Sequence, residues 1–437
     1  MKNKKQLRER IIELTAEYFS EFHVEKTFMP GEDYVRYSGR VFDKEEGKSL
    51  INAALDFWLT AGSYANELEK KLAKYLGLRH SMLTNSGSSA NLLAMTALTS
   101  EKLGDRKLIA GDEVITVAAG FPTTVNPIYQ NNLVPVYCDV ELGTYNIKPE
   151  DLEQSISDKT KAIFMAHTLG NPFNLDLITE FAKKHNLWVI EDNCDALGST
   201  WDGVLTGSFG DLSTQSFYPP HHITLGEGGA VNTNQPKLKK IVESFRDWGR
   251  DCWCESGQDN TCGKRFEWQL GDMPTGYDHK YIYSHIGYNL KVTDLQAAVG
   301  VPQMDKLPHF TKARKANHAF FMAALKKYEE YFILPMKEES ADPSWFGFII
   351  TLKEDAPFTR NQIVKYLEES KVATRMLFGG NLIKQPAYIG KNHRIVSELK
   401  NTDYIVYNSF WIGVYPGITE EMRKYVVEVF ESFLKQY

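Results

Sequence analysis

Between about Leu72 and Asn234, short apolar runs recur between stretches whose apolar residues fall at helical spacing. HSMLTNSG reads as a strand that leads into the helix of SSANLLAMTALTSEKL. DEVITVAAG and VPVYCDV read as two further strands. KAIFMAHTL is followed by the helical DLITEFAKKHN and then by the apolar run LWVIED. Strands alternating with helices predict an α/β domain with a mainly parallel sheet flanked by helices. The rhythm breaks at residues 235–300. The helix of PKLKKIVESFRDWG gives way to a stretch rich in Gly, Asp, Cys and aromatic residues, and VTDLQAAVGVPQMDKL then reads as a helix. A long structureless stretch inside a compact domain is usually functional. The expected division is a helical arm over 1–56, a large domain over 57–306 with a Cys-bearing insertion at about 251–284, and a smaller α+β domain over 307–437.

At 437 residues the chain is too long for one compact core. Hydrophobic residues make up 43% and charged residues 24%, the proportions of an ordinary globular enzyme. The net charge is −6 and no basic stripe occurs, which speaks against nucleic acid or an anionic membrane as partner. The N-terminal MKNKKQLRERIIELTAEYF mixes charge with apolar residues at helical spacing and lacks the apolar core of a signal peptide. No apolar run approaches the ~18 residues of a membrane span. A cytoplasmic protein is expected.

Three segments carry candidate chemistry. NSGSSANL, residues 85–92, sits at a strand-to-helix junction, where small residues let backbone N–H groups close around a phosphate. Turns of this composition are also common without any ligand. WVIEDN puts Asp192 at the carboxyl end of a central strand, the edge at which open α/β sheets bind ligands. A carboxylate there can pair with a protonated pyridine nitrogen, hold a metal or cap a helix. SFYPPHHITLGEGGAV, residues 216–231, holds His221 and His222 between prolines and glycines that stiffen the backbone.

Taken in order, NSGSSA, AAGFPTT, AHTLGNPFNLD, IEDNCDALGS, SFYPPHHITLGEGG and GYNLKVTDLQAAVG resemble the nucleotide-sugar aminotransferases and dehydratases of the DegT type. The resemblance spans about Phe57 to Lys306. It implies the type I aminotransferase fold: a mainly parallel seven-stranded sheet in the large domain and a smaller C-terminal domain. By the same resemblance Gly87, Ser88 and Ser216 would hold a cofactor phosphate, Phe121 would stack on the pyridine ring and Asp192 would pair with its nitrogen. Asn289 would reach the cofactor of a neighbouring subunit, which implies a homodimer with shared sites.

Two departures from the pattern narrow the chemistry. Where the family carries the lysine that binds pyridoxal phosphate covalently, this chain has His221. An imidazole cannot form that bond, yet it can move protons near neutral pH. The cofactor implied is therefore pyridoxamine 5′-phosphate, held non-covalently, with His221 as base and His222 one residue out of register. The reaction implied is loss of a hydroxyl beside a sugar ketone rather than amino transfer. Second, Cys194, Cys252, Cys254 and Cys262 follow the spacing C-x57-C-x-C-x7-C, while Cys138 lies at an apolar strand position and reads as core. Four thiolates suit a [2Fe–2S] cluster or zinc, and their number alone does not choose between the two.

Together, His221 and this spacing resemble the CDP-4-keto-6-deoxyglucose 3-dehydrases of the family. That resemblance implies a [2Fe–2S] cluster on the four cysteines and an NADH-dependent flavin/iron–sulfur reductase as partner. It also implies a place in 3,6-dideoxyhexose synthesis for O-antigen. A cluster-free dehydratase that regenerates its cofactor from glutamate shares the histidine, so only the cysteines oppose it. An ordinary aminotransferase would need a lysine between Ser216 and Gly229, and none occurs. A catalytically inactive regulator would not need Asp192, Phe121, Asn289 and a histidine at the key position. Arg375, in ATRMLFGGNLIKQPAY, is a candidate diphosphate contact, and nothing in the sequence assigns Asp195 a role.

Overall fold

A computed structural model describes residues 3–24, 26–254 and 257–437. Helices α1 (Lys4–Phe22), α2 (Lys44–Asp56) and α3 (Ser63–Leu76) precede the first strand. The charge-rich α1 buries none of its residues and is tied to α2 by Arg8, which donates to Asn52 and Asp56.

The large sheet takes β1 (His80–Thr84), β2 (Glu113–Val117), β3 (Val134–Cys138), β4 (Thr160–Ala166), β5 (Trp188–Asp192), β6 (Leu212–Ser216) and β7 (Gly229–Thr233). Its order is β1-β7-β6-β5-β4-β2-β3, and β7 alone runs against the others. Helices α4 (Gly87–Ala97), α5 (Pro122–Gln130), α6 (Leu175–His185) and α7 (Pro236–Arg246) pack on it. Both faces are covered: Ile115, Val136 and Ile163 enter one core, while Val114, Phe164 and Ile190 enter another. Burial on both sides is why these strands read as continuous apolar runs rather than as alternations.

Helix α8 (Asp294–Leu325) leads into a second, antiparallel sheet of β8 (Phe332–Ile333), β9 (Gly347–Leu352), β10 (Thr374–Arg375) and β12 (Ser409–Gly413), backed by α9 (Glu420–Leu434). A further short strand, β11 (Arg394–Ile395), joins the large sheet beside β3 as an eighth member. Two residues give no periodic signal. The register of β11 comes instead from Arg394, whose guanidinium donates to Glu113 at 3.0 Å.

Helix α8 runs through Pro302 and Pro308 and crosses position 306 without a break. Each proline removes one backbone hydrogen bond, and packing against α2 and α3 holds the helix across them. In the segment after α7, Arg265 pairs with Asp278 at 2.6 Å and Asp251 takes Lys102 at 2.6 Å. The described residues of 251–284 carry one short 3₁₀ turn, His279–Tyr281. No helix among the described residues is long and apolar enough to cross a membrane.

Candidate active site

A cleft of about 450 Å³ opens at the carboxyl ends of β4, β5 and β6, between the two sheets. Ligand sites of open α/β sheets form at this edge because the strand-to-helix turns diverge there. Gly87, Ser88, Phe121, Asp192, Ser216 and His221 all line it, and so does Cys194. Asn289 does not. It is exposed and forms a β-bridge with Asp247 on another part of the surface.

The floor is the start of α4. Ser86 caps this helix by accepting from the Ser89 N–H at 3.0 Å, so the first helical N–H groups have no intrahelical partner. Together with the helix dipole, such groups attract a phosphate. Close approach of backbone makes the cradle. A Cβ at Gly87 would lie 2.4 Å from the Ser216 Cβ, and one at Gly229 would lie 2.4 Å from the Ser86 carbonyl oxygen. Gly229→Ala is expected to destabilise the protein by about 1–3 kcal/mol through this overpacking and to weaken cofactor phosphate binding. Thermal melting and cofactor titration measure the two effects.

At the back of the cleft Asp192 is 4% exposed. Its Oδ2 accepts from Asn91 Nδ2 at 2.8 Å and Thr124 Oγ1 at 2.6 Å, and its Oδ1 from the Cys194 N–H at 3.2 Å. Thr214 in turn donates to Asn91 Oδ1 at 2.6 Å. These donors fix the carboxyl at the back of the cleft, where it can face a pyridine N–H. Phe121, at the start of α5, stands over the cleft with 46% of its surface exposed and packs edge-on against Phe378. Phosphate cradle, aromatic face and buried carboxylate together fit pyridoxamine phosphate. Asn91 and Thr124 carry the Asp192 geometry, and sequence reasoning missed both. Each lies inside a quoted motif as a polar residue on a buried helical face, which is the signal that was available.

The turn after β6 separates the two histidines. His221 faces the cleft with Nδ1 3.3 Å from Asp195 Oδ1, and its ring lies 5.2 Å from Phe346. Burial pushes the Asp195 carboxyl upward and the facing imidazole draws it back down. His222 points the other way. It is 2% exposed, Nε2 donates to the Ser344 carbonyl at 2.6 Å, and burial pushes its pKa well below the ordinary imidazole value. Among the described residues no lysine lines the cleft. Arg375 reaches the rim, its guanidinium 3.8 Å from the Tyr37 ring centroid.

The cysteines divide. Cys138 is fully buried in β3. Cys194 sits on the cofactor cleft, where burial and the neighbouring Asp192 hold its thiol protonated well above the usual range. Cys252, Cys254 and Cys262 line a separate small cavity with His279 and Lys280. There the Cys254 N–H donates to Cys252 Sγ at 3.5 Å, and Cys254 Sγ is 3.0 Å from Thr261 Oγ1. Burial raises the Cys252 thiol. It opposes ionisation of Cys254 too, but hydrogen bonds from Thr261 and the charge of Lys280 draw Cys254 below its ordinary value. Three of the four candidate ligands thus share one wall and Cys194 stands apart from them. Among the described residues no three His, Cys, Asp or Glu side chains stand in metal-binding array.

The sequence of the DegT/DnrJ/EryC1/StrS aminotransferase family matches residues 41–431. The lipopolysaccharide biosynthesis protein RfbH of Salmonella typhimurium is 55% identical over 427 residues, covering 98% of each chain. The dTDP-4-dehydro-2,6-dideoxy-D-glucose 3-dehydratase of Saccharopolyspora spinosa is 52% identical, covering 98% of this chain and 92% of its own. Among solved structures, a histidine-to-asparagine mutant of GDP-4-keto-6-deoxymannose-3-dehydratase with bound GDP-perosamine superposes with a TM-score of 0.82. It is 27% identical and covers 91% of this chain and all of that one. With its cofactor cradle, its type I fold and these relatives, the chain belongs to the DegT/DnrJ/EryC1/StrS aminotransferase family and is an enzyme of that family.

Proposed function

We propose that the protein is a pyridoxamine phosphate-dependent nucleotide-sugar 3-dehydratase that acts on a 4-keto-6-deoxyhexose. The observation that carries this reading is a cleft with no lysine among the described residues that line it, in which a histidine 3.3 Å from Asp195 takes the base position. When bound, pyridoxamine phosphate supplies the amine that condenses with the sugar ketone and the ring that stores an electron pair. Gly87, Ser88 and Ser216 would hold its phosphate, Phe121 would cover its ring, and Asp192 would pair with its pyridine nitrogen. His221 Nδ1 lies 3.3 Å from Asp195 Oδ1, which leaves Nε2 as the nitrogen that would take and return a proton. An imidazole is a competent general base near neutral pH. Arg375 at the rim suits the substrate diphosphate.

The finer reading is a CDP-linked sugar, a homodimer in which Asn289 serves the neighbouring cofactor, and a place in the cytoplasm. A [2Fe–2S] centre and an NADH-dependent flavin/iron–sulfur reductase belong to the same reading. Three thiols on one cavity and the cysteine spacing support the cluster. Cys194 lines the other cavity, and its place in the ligand set is tested by Cys194→Ser.

The test is proton exchange. Protein loaded with pyridoxamine phosphate and given nucleotide 4-keto-6-deoxyhexose in deuterium oxide should exchange a cofactor C4′ proton and release the C-3 hydroxyl as water. Steady transfer of the cofactor amine to the sugar would instead establish an aminotransferase. A second check concerns register. Borohydride treatment of H221K with pyridoxal phosphate should fix the cofactor on the peptide bearing position 221, whereas wild type should retain none covalently. Labelling of any other lysine would move the base position away from 221.

A further inference from the structure

Arg314, on α8, is 1% exposed, and among the described residues the carboxylate that supports its charge is that of Asp195. Burial pushes its pKa down to about 10. Burying a guanidinium without a direct ion pair is costly unless its donors are well used. Its two terminal nitrogens are used on two segments at once, while Nε is buried without a partner. Nη2 donates to the carbonyls of Pro220 and His221, each at 3.1 Å. Nη1 donates to the carbonyls of Trp345 at 3.2 Å and Phe346 at 3.4 Å. The first segment bears the His221 imidazole, and the second bears the Phe346 ring that packs against it. One rigid fork therefore fixes the backbone beneath the base and the wall behind it. Lysine has no such fork.

We propose that Arg314 is a positioning residue for proton transfer, clamping the 220–221 and 345–346 carbonyls so that the His221 imidazole stays seated on Asp195 at the cleft. It touches neither cofactor nor substrate and acts through His221. The inference rests on the reading of His221 as the proton-moving base. A guanidinium that only stabilised the fold would lower cofactor binding and proton exchange together, in step with the folded fraction. A clamp separates them.

With nucleotide 4-keto-6-deoxyhexose present, the experiment measures cofactor C4′ proton exchange per bound pyridoxamine phosphate, together with cofactor affinity and thermal stability, in wild type, Arg314→Lys and Arg314→Met. Displacement of a reacting group by about 1 Å costs about 10²-fold in rate. Arg314→Met is accordingly expected to lose about that much exchange per bound cofactor while its cofactor affinity stays within about twofold. Arg314→Lys keeps charge and bulk, folds more readily, and is expected to show a smaller loss in the same direction. Added guanidinium ion should restore part of the exchange in Arg314→Met. Exchange per bound cofactor equal to wild type in Arg314→Lys and in whatever fraction of Arg314→Met folds would overturn the clamp. Absence of exchange in wild type would instead overturn the reading of His221, so the two failures are distinguishable.

Discussion

His221→Asn is expected to bind pyridoxamine phosphate as wild type does while losing about 10²–10⁴-fold in cofactor proton exchange, the usual contribution of a positioned general base. Asparagine is the informative replacement because its amide can still donate toward Asp195. The carboxylate is 8% exposed, and leaving it without a donor would cost about 1–3 kcal/mol and blur the result with instability. The residues assigned to the phosphate, ring and pyridine nitrogen are untouched by the change, so cofactor affinity should not follow the rate. Cofactor titration and deuterium exchange on one preparation give both numbers. An exchange rate equal to wild type would remove His221 from the mechanism. The neighbouring His222 is a poor substitute, since its Nε2 is committed to the Ser344 carbonyl and burial holds it neutral.

Cys252→Ser or Cys254→Ser is expected to abolish most bound iron and acid-labile sulfide while leaving cofactor proton exchange intact. A hydroxyl is a much poorer ligand than a thiolate for iron–sulfur clusters, and the three thiols of 252–262 line one cavity apart from the cofactor cleft. Metal binding and local folding are coupled, so proteolysis within 251–264 should also accelerate. Full iron content in both variants would break the assignment. Cys194→Ser resolves what the separated positions raise. Loss of iron there would place Cys194 in the ligand set, whereas retained iron would restrict that set to the 252–262 segment.

Strands β1 to β5 were readable in advance because each carries a short apolar run, and β2 to β5 are largely buried on both faces. Helix α8 was readable only in its first half. Pro302 and Pro308 interrupt the local signal, and packing on α2 and α3, more than two hundred residues earlier in the chain, restores the helix. The two residues of β11 had no signal at all, since a single ion pair with Glu113 sets their register.

By itself, the sequence determined which chemical groups are available: histidine where a lysine would bind cofactor covalently, a strand-end carboxylate at Asp192, and a clustered set of thiols. Local order suffices for these because identity and spacing are covalent facts. The tertiary structure decided which groups work together. It set Asp195 against His221, Asn91 and Thr124 against Asp192, and Arg314 beneath the turn after β6. It also moved Cys194 away from the other thiols and onto the cofactor cleft. The physical reason is the crossing order of the sheet. Each strand's neighbours are chosen by packing between helices, and a partner 26 to 101 residues away leaves no trace in local pattern.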